Sequence, residues 1–412
     1  MTSHWKKVLE ELGGEKRIHY SLDNFKKALQ EAGNPQNSVQ SLVIAGTNGK
    51  GTTTLLITRA LQLHGYKVAT YLSPHLQSVC ERFLDDCVPW TEERLERHLT
   101  KALPLAQKWK LSYFEFLTLL FFLDNQESKP DYCVLEVGMG GRLDATNVTH
   151  PKAVVLTNID WDHMDFLGNT LGKILQEKMG VLRKGTPVTS GIDDPHLQQL
   201  LLEKCQELSC EVQLTHSLQK EVKELSWHGQ KVMIEGVEFQ LTNPSPGTLE
   251  NAATAFAFLR KNFPEIQIET LQRAFSSVRN PGRFEIVQEN PKVILSGDHN
   301  VAGIRCLVST LSELGARDLF IVCGFSPDKE VKDCLSLLRP FARELVLTKV
   351  LRARGEYDEE YEKLASFEPL AEKAVGEFLR KMRPEDTLLI TGSLYLIGEL
   401  RALWQKEVTF CF

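Results

Sequence analysis

Apolar runs and helix-period stretches alternate along most of the chain. Runs at residues 42–45, 67–72, 131–137, 153–158 and 186–190 predict strands, and periodic apolar positions at 51–64, 92–109, 113–124 and 170–183 predict helices. Continuous apolar strands such as CVLEV and AVVLT suit a parallel sheet covered on both faces. The alternation predicts a doubly wound, mostly parallel α/β domain. The pattern changes at 219–241, where KVMIEGVEFQLT alternates around Gly236 and predicts a small antiparallel hairpin appended to that domain. The loop NPSPG (243–247) follows, then a helix through NAATAFAFLR. A second, Rossmann-like βα series begins after RNPGR (279–283). Its strands are FEIV, KVILS, DLFIVCG, ELVLT and TLLITG, with helices near 301–315, 328–341, 368–382 and 394–405. The boundary falls near residue 280, giving domains 1–280 and 281–412.

The length of 412 residues agrees with two domains, and 42% hydrophobic with 25% charged residues describes a globular protein. A net charge of −6 without a long basic run argues against a nucleic-acid or anionic-membrane partner. The start, MTSHWKKVLEELGGEKR, is charged and has no apolar core of a signal peptide. No apolar stretch reaches membrane-spanning length. Nine cysteines, scattered singly and without C-x-x-C, point to a reducing cytoplasm rather than to disulfides or zinc.

Candidate chemistry begins at GTNGKGTT. A phosphate cradle needs backbone N–H groups unobstructed by β-carbons, a helix N-terminus behind them and a cation at the outer phosphates. Gly46, Gly49 and Gly51 give the first, the helix opening near Thr52 the second, and Lys50 the third. A Thr52 or Thr53 hydroxyl could reach a magnesium ion. The usual G-x-x-x-x-G-K-[ST] spacing is not met, because Ile44 stands at the first glycine and Gly51 follows Lys50. A purely structural strand-to-helix turn is the alternative reading.

Phosphoryl transfer with magnesium also needs a carboxylate at a neighbouring strand end. Glu136 closes DYCVLE, Ser73 and His75 follow another apolar run in YLSPHL, and His163 follows AVVLTNI. Three strand ends then meet on one rim, where ligands bind in open α/β sheets. Each has a plainer reading, as a strand-end glutamate at the surface or a structural histidine. Lys178, on an amphipathic helix, reads locally as a surface lysine.

The motifs GTNGKGTT, YLSPHL, YFEFLT, LEVGMGGRLDATN, TNIDWDHMDFLG, EKMG, NPGR and GSLYLIGELR occur in an order that resembles the folylpolyglutamate synthase and dihydrofolate synthase family, within the Mur-type ATP-dependent amide ligases. The likeness runs from about residue 40 to residue 400. It implies that Gly46, Thr47, Asn48, Gly49, Lys50, Gly51 and Thr52 cradle ATP. Ser73, Glu136 and His163, with Thr52, match magnesium ligands, and Lys178 matches a lysine that carries a carbamate. Asn251 and Arg283 match ATP contacts. Tyr113, Phe114, Glu115 and Leu143 lie where bacterial bifunctional members hold pteroate.

The implied reaction phosphorylates the folate-side carboxylate to an acyl phosphate, which the glutamate amine attacks to leave ADP and phosphate. Lys50, Lys178 and His299 would be its catalytic residues, and a site shared by two domains implies closure before chemistry. ATP, Mg2+, a pteroate or folate and L-glutamate are the expected ligands of a cytoplasmic monomer.

Three departures from the family stand out. SGDHNV replaces the usual D-G-A-H-N-P, so Ser296 stands where aspartate is common and Asp298 precedes His299. Either Asp298 takes over the carboxylate's task, or nucleotide and glutamate contacts there are weaker. PSPGTLEN puts Gly247 and Thr248 in place of His and Gln, and IDWDH adds Asp160 and Trp161. Competing readings are a Mur-type ligase for a UDP-linked muropeptide, a P-loop nucleotide kinase, and a nucleotide-binding homologue that has lost catalysis.

Overall fold

The structure, a computed structural model, describes residues 4–12, 21–326, 330–350, 359–405 and 408–411. The first two residues of the helix expected at 328–341, and parts of the N-terminal stretch read for a signal peptide, lie outside them. The chain groups into two compact units. One comprises 1–73, 79–217 and 251–274, and the other 74–78, 218–250 and 275–412. The segment expected as a hairpin on the first domain is thus grouped with the second unit.

The first unit is built on eight strands: β1 (Ser41–Ala45), β2 (Val68–Tyr71), β3 (Phe83–Asp85), β4 (Val88–Pro89), β5 (Tyr132–Glu136), β6 (Ala153–Leu156), β7 (Val188–Ser190) and β8 (Val212–Leu214). Their order is β4-β3-β2-β5-β1-β6-β7-β8. From β2 to β8 all neighbours are parallel, while β3 and β4 add an antiparallel edge. All five residues of β1 are buried, and four of them, 42–45, form its apolar run, as suits a strand covered on both faces. The four adjacent strands β2, β5, β1 and β6 all end on one rim, as expected. Their register sets Ile44 beside Glu136 and Ala45 beside Leu156.

Helix starts are written in the sequence. Ser112 and Glu115 close a capping box on Tyr113–Ser128, Thr91 caps Glu92–Trp109, and Thr170 caps Leu171–Met179. A polar cluster joins the first two of these helices, with His98 and Asp124 buried in it. Asp124 accepts from Arg94 and from His98 Nε2 at 2.9 Å, and Arg94 also reaches Asp85.

The second unit holds two sheets. The expected hairpin is a three-stranded meander of β9 (Lys220–Ser226), β10 (Gly229–Ile234) and β11 (Val237–Leu241). Glu235 and Gly236, both at positive φ, make the tight turn between β10 and β11. The larger sheet comprises β12 (Glu285–Glu289), β13 (Lys292–Ser296), β14 (Leu319–Cys323), β15 (Ala342–Leu347), β16 (Ser366–Phe367) and β17 (Thr387–Thr391), ordered β12-β13-β17-β14-β15-β16. All its pairs are parallel except β12–β13. FEIV is therefore an antiparallel edge strand, not the start of the parallel series. Among the described residues, no helix is long and apolar enough to cross a membrane.

Candidate active site

β1 ends at Ala45 and the backbone turns through residues 46–49 into the helix Lys50–His64. The turn needs its glycines. Gly46 and Gly49 have φ of 146° and 81°, and β-carbons there would overlap the Thr157 hydroxyl and the Asn251 side chain respectively. The β6 loop braces the turn. Asn48 N–H donates to Asn158 Oδ1 at 2.7 Å, Thr157 Oγ1 donates to Asn48 O at 2.7 Å, and Asp160 N–H donates to Thr47 Oγ1 at 3.0 Å. Thr157 and Asn158 were not singled out from sequence; their signal is a polar pair just past an apolar strand. In the first helical turn Gly51 and Thr52 are half-buried, whereas Thr53 is fully enclosed. Of these two threonines, Thr52 is the less enclosed.

Two lysines meet on one carbonyl. Lys50 Nζ donates to Gly46 O at 3.1 Å and to Thr47 O at 2.9 Å, while Lys178 Nζ donates to Gly46 O at 2.7 Å. The local reading of Lys178 as a surface lysine is overturned: the side chain is buried. Burial, then the neighbouring charge of Lys50, brings its pKa down to about 7, against the pull of Asp162 and Asp144. The loop after β5 places it there. Arg142 N–H donates to Glu177 O at 2.8 Å, and its guanidinium pairs with the Glu177 carboxylate at 3.0 Å. Gly141 packs so closely on the Glu177 and Lys178 backbone that a β-carbon would strike their carbonyls. Asp144, pushed up by burial, holds that loop through Met139 N–H and Thr146.

Glu136 is buried at the end of β5, and its Oε2 accepts Ser73 N–H at 3.0 Å. His163 adopts a left-handed φ of 47°, with Nε2 3.6 Å from Asp162 Oδ2. Among the described residues, no group of three or more His, Cys, Asp or Glu gathers in a form that would hold a metal ion. The expected ligand set leans instead on hydroxyls, one carboxylate and one imidazole.

Tyr113 opens its helix under the Arg82 guanidinium, 5.5 Å from the ring centre, and Phe114 lies 5.6 Å from the Tyr71 ring and against Gly138. Glu115 accepts from Ser112 N–H and Oγ at 2.7 and 2.6 Å, so it has a capping task in this structure. Leu143 is half-buried in the loop that carries Arg142.

In the second unit, Arg283 Nη1 donates to Gly297 O at 2.9 Å, and Ser296 Oγ donates to Asp298 Oδ2 at 2.6 Å. Burial pushes the Asp298 carboxyl up, while Arg283 and Ser296 oppose that shift. His299 Nδ1 lies 3.2 Å from Gly297 O, and Asn300 caps the helix Val301–Glu313. The altered PSPG turn is anchored by Gln230, which donates to Asn243 O and Ser245 O at 3.0 and 2.8 Å. Asn243 in turn donates to Arg283 O at 2.6 Å.

Residues 44–259 match the family described as Mur ligase middle domain, and 282–394 match Mur ligase, glutamate ligase domain. The Escherichia coli dihydrofolate synthase/folylpolyglutamate synthase is 30% identical over 407 residues, covering 96% of this chain and 94% of its own. The Mycobacterium tuberculosis folylpolyglutamate synthase complexed with ADP superposes with a TM-score of 0.89 at 26% identity, covering 98% of each chain. Escherichia coli FolC in complex with DHPP and ADP gives a TM-score of 0.85 at 27% identity, covering 97% of this chain and 96% of its own. The phosphate-type turn, its carboxylate rim and both domain matches therefore agree: this chain belongs to the folylpolyglutamate synthase/dihydrofolate synthase family of Mur-type ligases, ATP-dependent enzymes that form amide bonds.

Proposed function

We propose that the protein joins L-glutamate to dihydropteroate, to reduced folates, or to both, with ATP cleaved to ADP and phosphate. The observation that supports this most is the pair of lysines on Gly46 O, set one strand away from the buried Glu136. Amines and a carboxylate at the mouth of a glycine turn suit a reaction that places a nucleotide phosphate beside an acid.

A carboxylate is a poor electrophile, so its oxygen first attacks the γ-phosphorus of ATP and ADP leaves. The glutamate amine then attacks the acyl carbon, loses a proton, and expels phosphate. Lys50 leaves its loop carbonyls for the β- and γ-phosphates, where charge builds in the transfer. The N–H groups of residues 46–52 and Asn251 hold the nucleotide. Thr52, Ser73 and Glu136 offer the oxygen ligands that Mg2+, a hard cation, takes, and His163 would add a nitrogen; when bound the ion would offset phosphate charge. The Lys178 amine, with its pKa lowered to about 7, has a deprotonated fraction at neutral pH that can take up CO2 as a carbamate, losing a proton and becoming an anion. Tyr113, Phe114, Glu115 and Leu143 form the acceptor wall. Arg283, Ser296, Asp298 and His299 are the second unit's contacts for nucleotide and glutamate. We assign the protein to the cytoplasm, as a monomer with no nucleic-acid partner.

The test is product identification. With ATP, Mg2+ and glutamate, dihydropteroate or tetrahydrofolate should gain the mass of one glutamyl residue, and carboxylate-18O dihydropteroate should pass label to phosphate. ATP binding without any glutamylated product would instead support a homologue of lost activity. Turnover of a UDP-linked muropeptide alone would support a different Mur-type ligase.

A further inference from the structure

Three exposed large apolar side chains, Trp161, Met164 and Phe166, fall within six residues of one another in the connection after β6. Exposed apolar clusters of this kind mark binding surfaces more often than single exposed residues do. This connection is not loose. Asp160 exchanges hydrogen bonds with Thr47, donating N–H to Oγ1 at 3.0 Å and accepting from it on its carbonyl at 3.2 Å. Its carboxylate then accepts Trp161 N–H at 2.8 Å, which fixes where the tryptophan leaves the backbone. At the far end, Leu167 is buried and packs over Gly140 of the loop that carries Leu143. Trp161 is thus held one residue from a direct contact with the phosphate turn. Yet it is 43% exposed and stacks on no other ring among the described residues.

We infer that Trp161, with Met164 and Phe166 close to it in the chain, is the platform for the aromatic ring that carries the acceptor's reacting carboxylate. The inference rests on the proposed function, and it adds a specificity residue that the phosphate and metal chemistry does not require. Its logic is positional. The carboxylate must come to the γ-phosphate at the turn, so a ring attached directly to it lies within a few ångströms of the turn's braces. A flat indole carried on backbone held at that place would gain from offset stacking with such a ring.

Trp161→Ala and Trp161→Phe would be compared with the wild type for KM and kcat with dihydropteroate and with ATP. Alanine should raise the dihydropteroate KM about ten-fold, with kcat and the ATP KM within two-fold, and phenylalanine should recover most of the loss. A dihydropteroate KM within two-fold of wild type in Trp161→Ala overturns the inference. A second arm does not need turnover. In the ADP-loaded protein, dihydropteroate should quench tryptophan emission, and Trp161→Phe should lose that quench. Absence of a Trp161-dependent quench also overturns the inference. Should the wild type turn over no pteroate or folate, the proposed function fails and the emission arm alone decides this one. Concentration-dependent self-association abolished by Trp161→Ala would assign the patch to a second copy of the chain, and would likewise overturn it.

Discussion

Lys50 and Lys178 show how differently two lysines can be written into a sequence. Lys50 is legible because its neighbours are: three glycines, a strand before and a helix after leave a cation little other purpose. Lys178 sits on a helix whose polar spacing predicts solvent, and only the packing of the 138–147 loop over that helix encloses it. The family resemblance pointed to it where local pattern pointed away. At Ser296 and Asp298 the resemblance left two outcomes open, and in the structure the two side chains meet. The serine hydroxyl tethers the carboxylate at 2.6 Å, beside Arg283 and His299. Two expectations follow at this scale. Lys50→Ala should lower kcat on the order of a hundred-fold, as loss of a transition-state charge partner does, while Tm stays within a few degrees. Asp298→Asn should raise the KM for ATP or glutamate by about ten-fold, and Ser296→Ala by less, because it removes the tether and leaves the charge. Unchanged constants in Asp298→Asn, measured by initial rates, would show that the relocated carboxylate has no task.

Among the elements, the parallel strands were the most legible, since burial on both faces removes the polar alternation that blurs a strand. β9 was not read as a strand. Its sequence KEVKELS carries charges on an exposed edge, and a register shift between Lys231 and Val232 breaks the alternation across the pair. β3 and β4 are too short to show a period. The cluster between Glu92–Trp109 and Tyr113–Ser128 was invisible too, because Asp124 lies on the next helix, 30 residues from Arg94, and meets Arg94 and His98 only when the helices pack. Burial alone would raise the Asp124 carboxyl, but hydrogen bonds from His98 and Arg94 outweigh it and hold the pKa at about 2. A depressed carboxylate contributes stability that is complete above its unfolded value of about 3.9 and is lost as pH falls towards 2. Asp124→Asn should therefore cost about 3 kcal/mol at pH 7, the scale of a broken buried pair, and that deficit should shrink below pH 4. Denaturant melts at several pH values would check this, and a deficit that persists at pH 2 would contradict it.

For the molecule as a whole, the sequence pattern yields two α/β units and a mostly parallel sheet whose strand ends carry the chemistry. It does not show that the chain runs from the first unit to the second more than once. Residues 74–78 and 218–250 belong with the C-terminal strands, and 251–274 return to the first unit. Periodicity reports what each element buries, not which unit it joins. The phosphate turn and Asn251 lie in the first unit, and Arg283, Asp298 and His299 in the second. The central claim is an ATP-dependent glutamate ligation, and ADP release by the purified protein tests it most directly. With Mg-ATP, L-glutamate and either dihydropteroate or tetrahydrofolate, ADP should accumulate at a rate that requires both acceptor and glutamate. Release with dihydropteroate alone assigns a dihydrofolate synthase, and release with both acceptors a bifunctional enzyme. ADP release that neither acceptor stimulates would contradict the account.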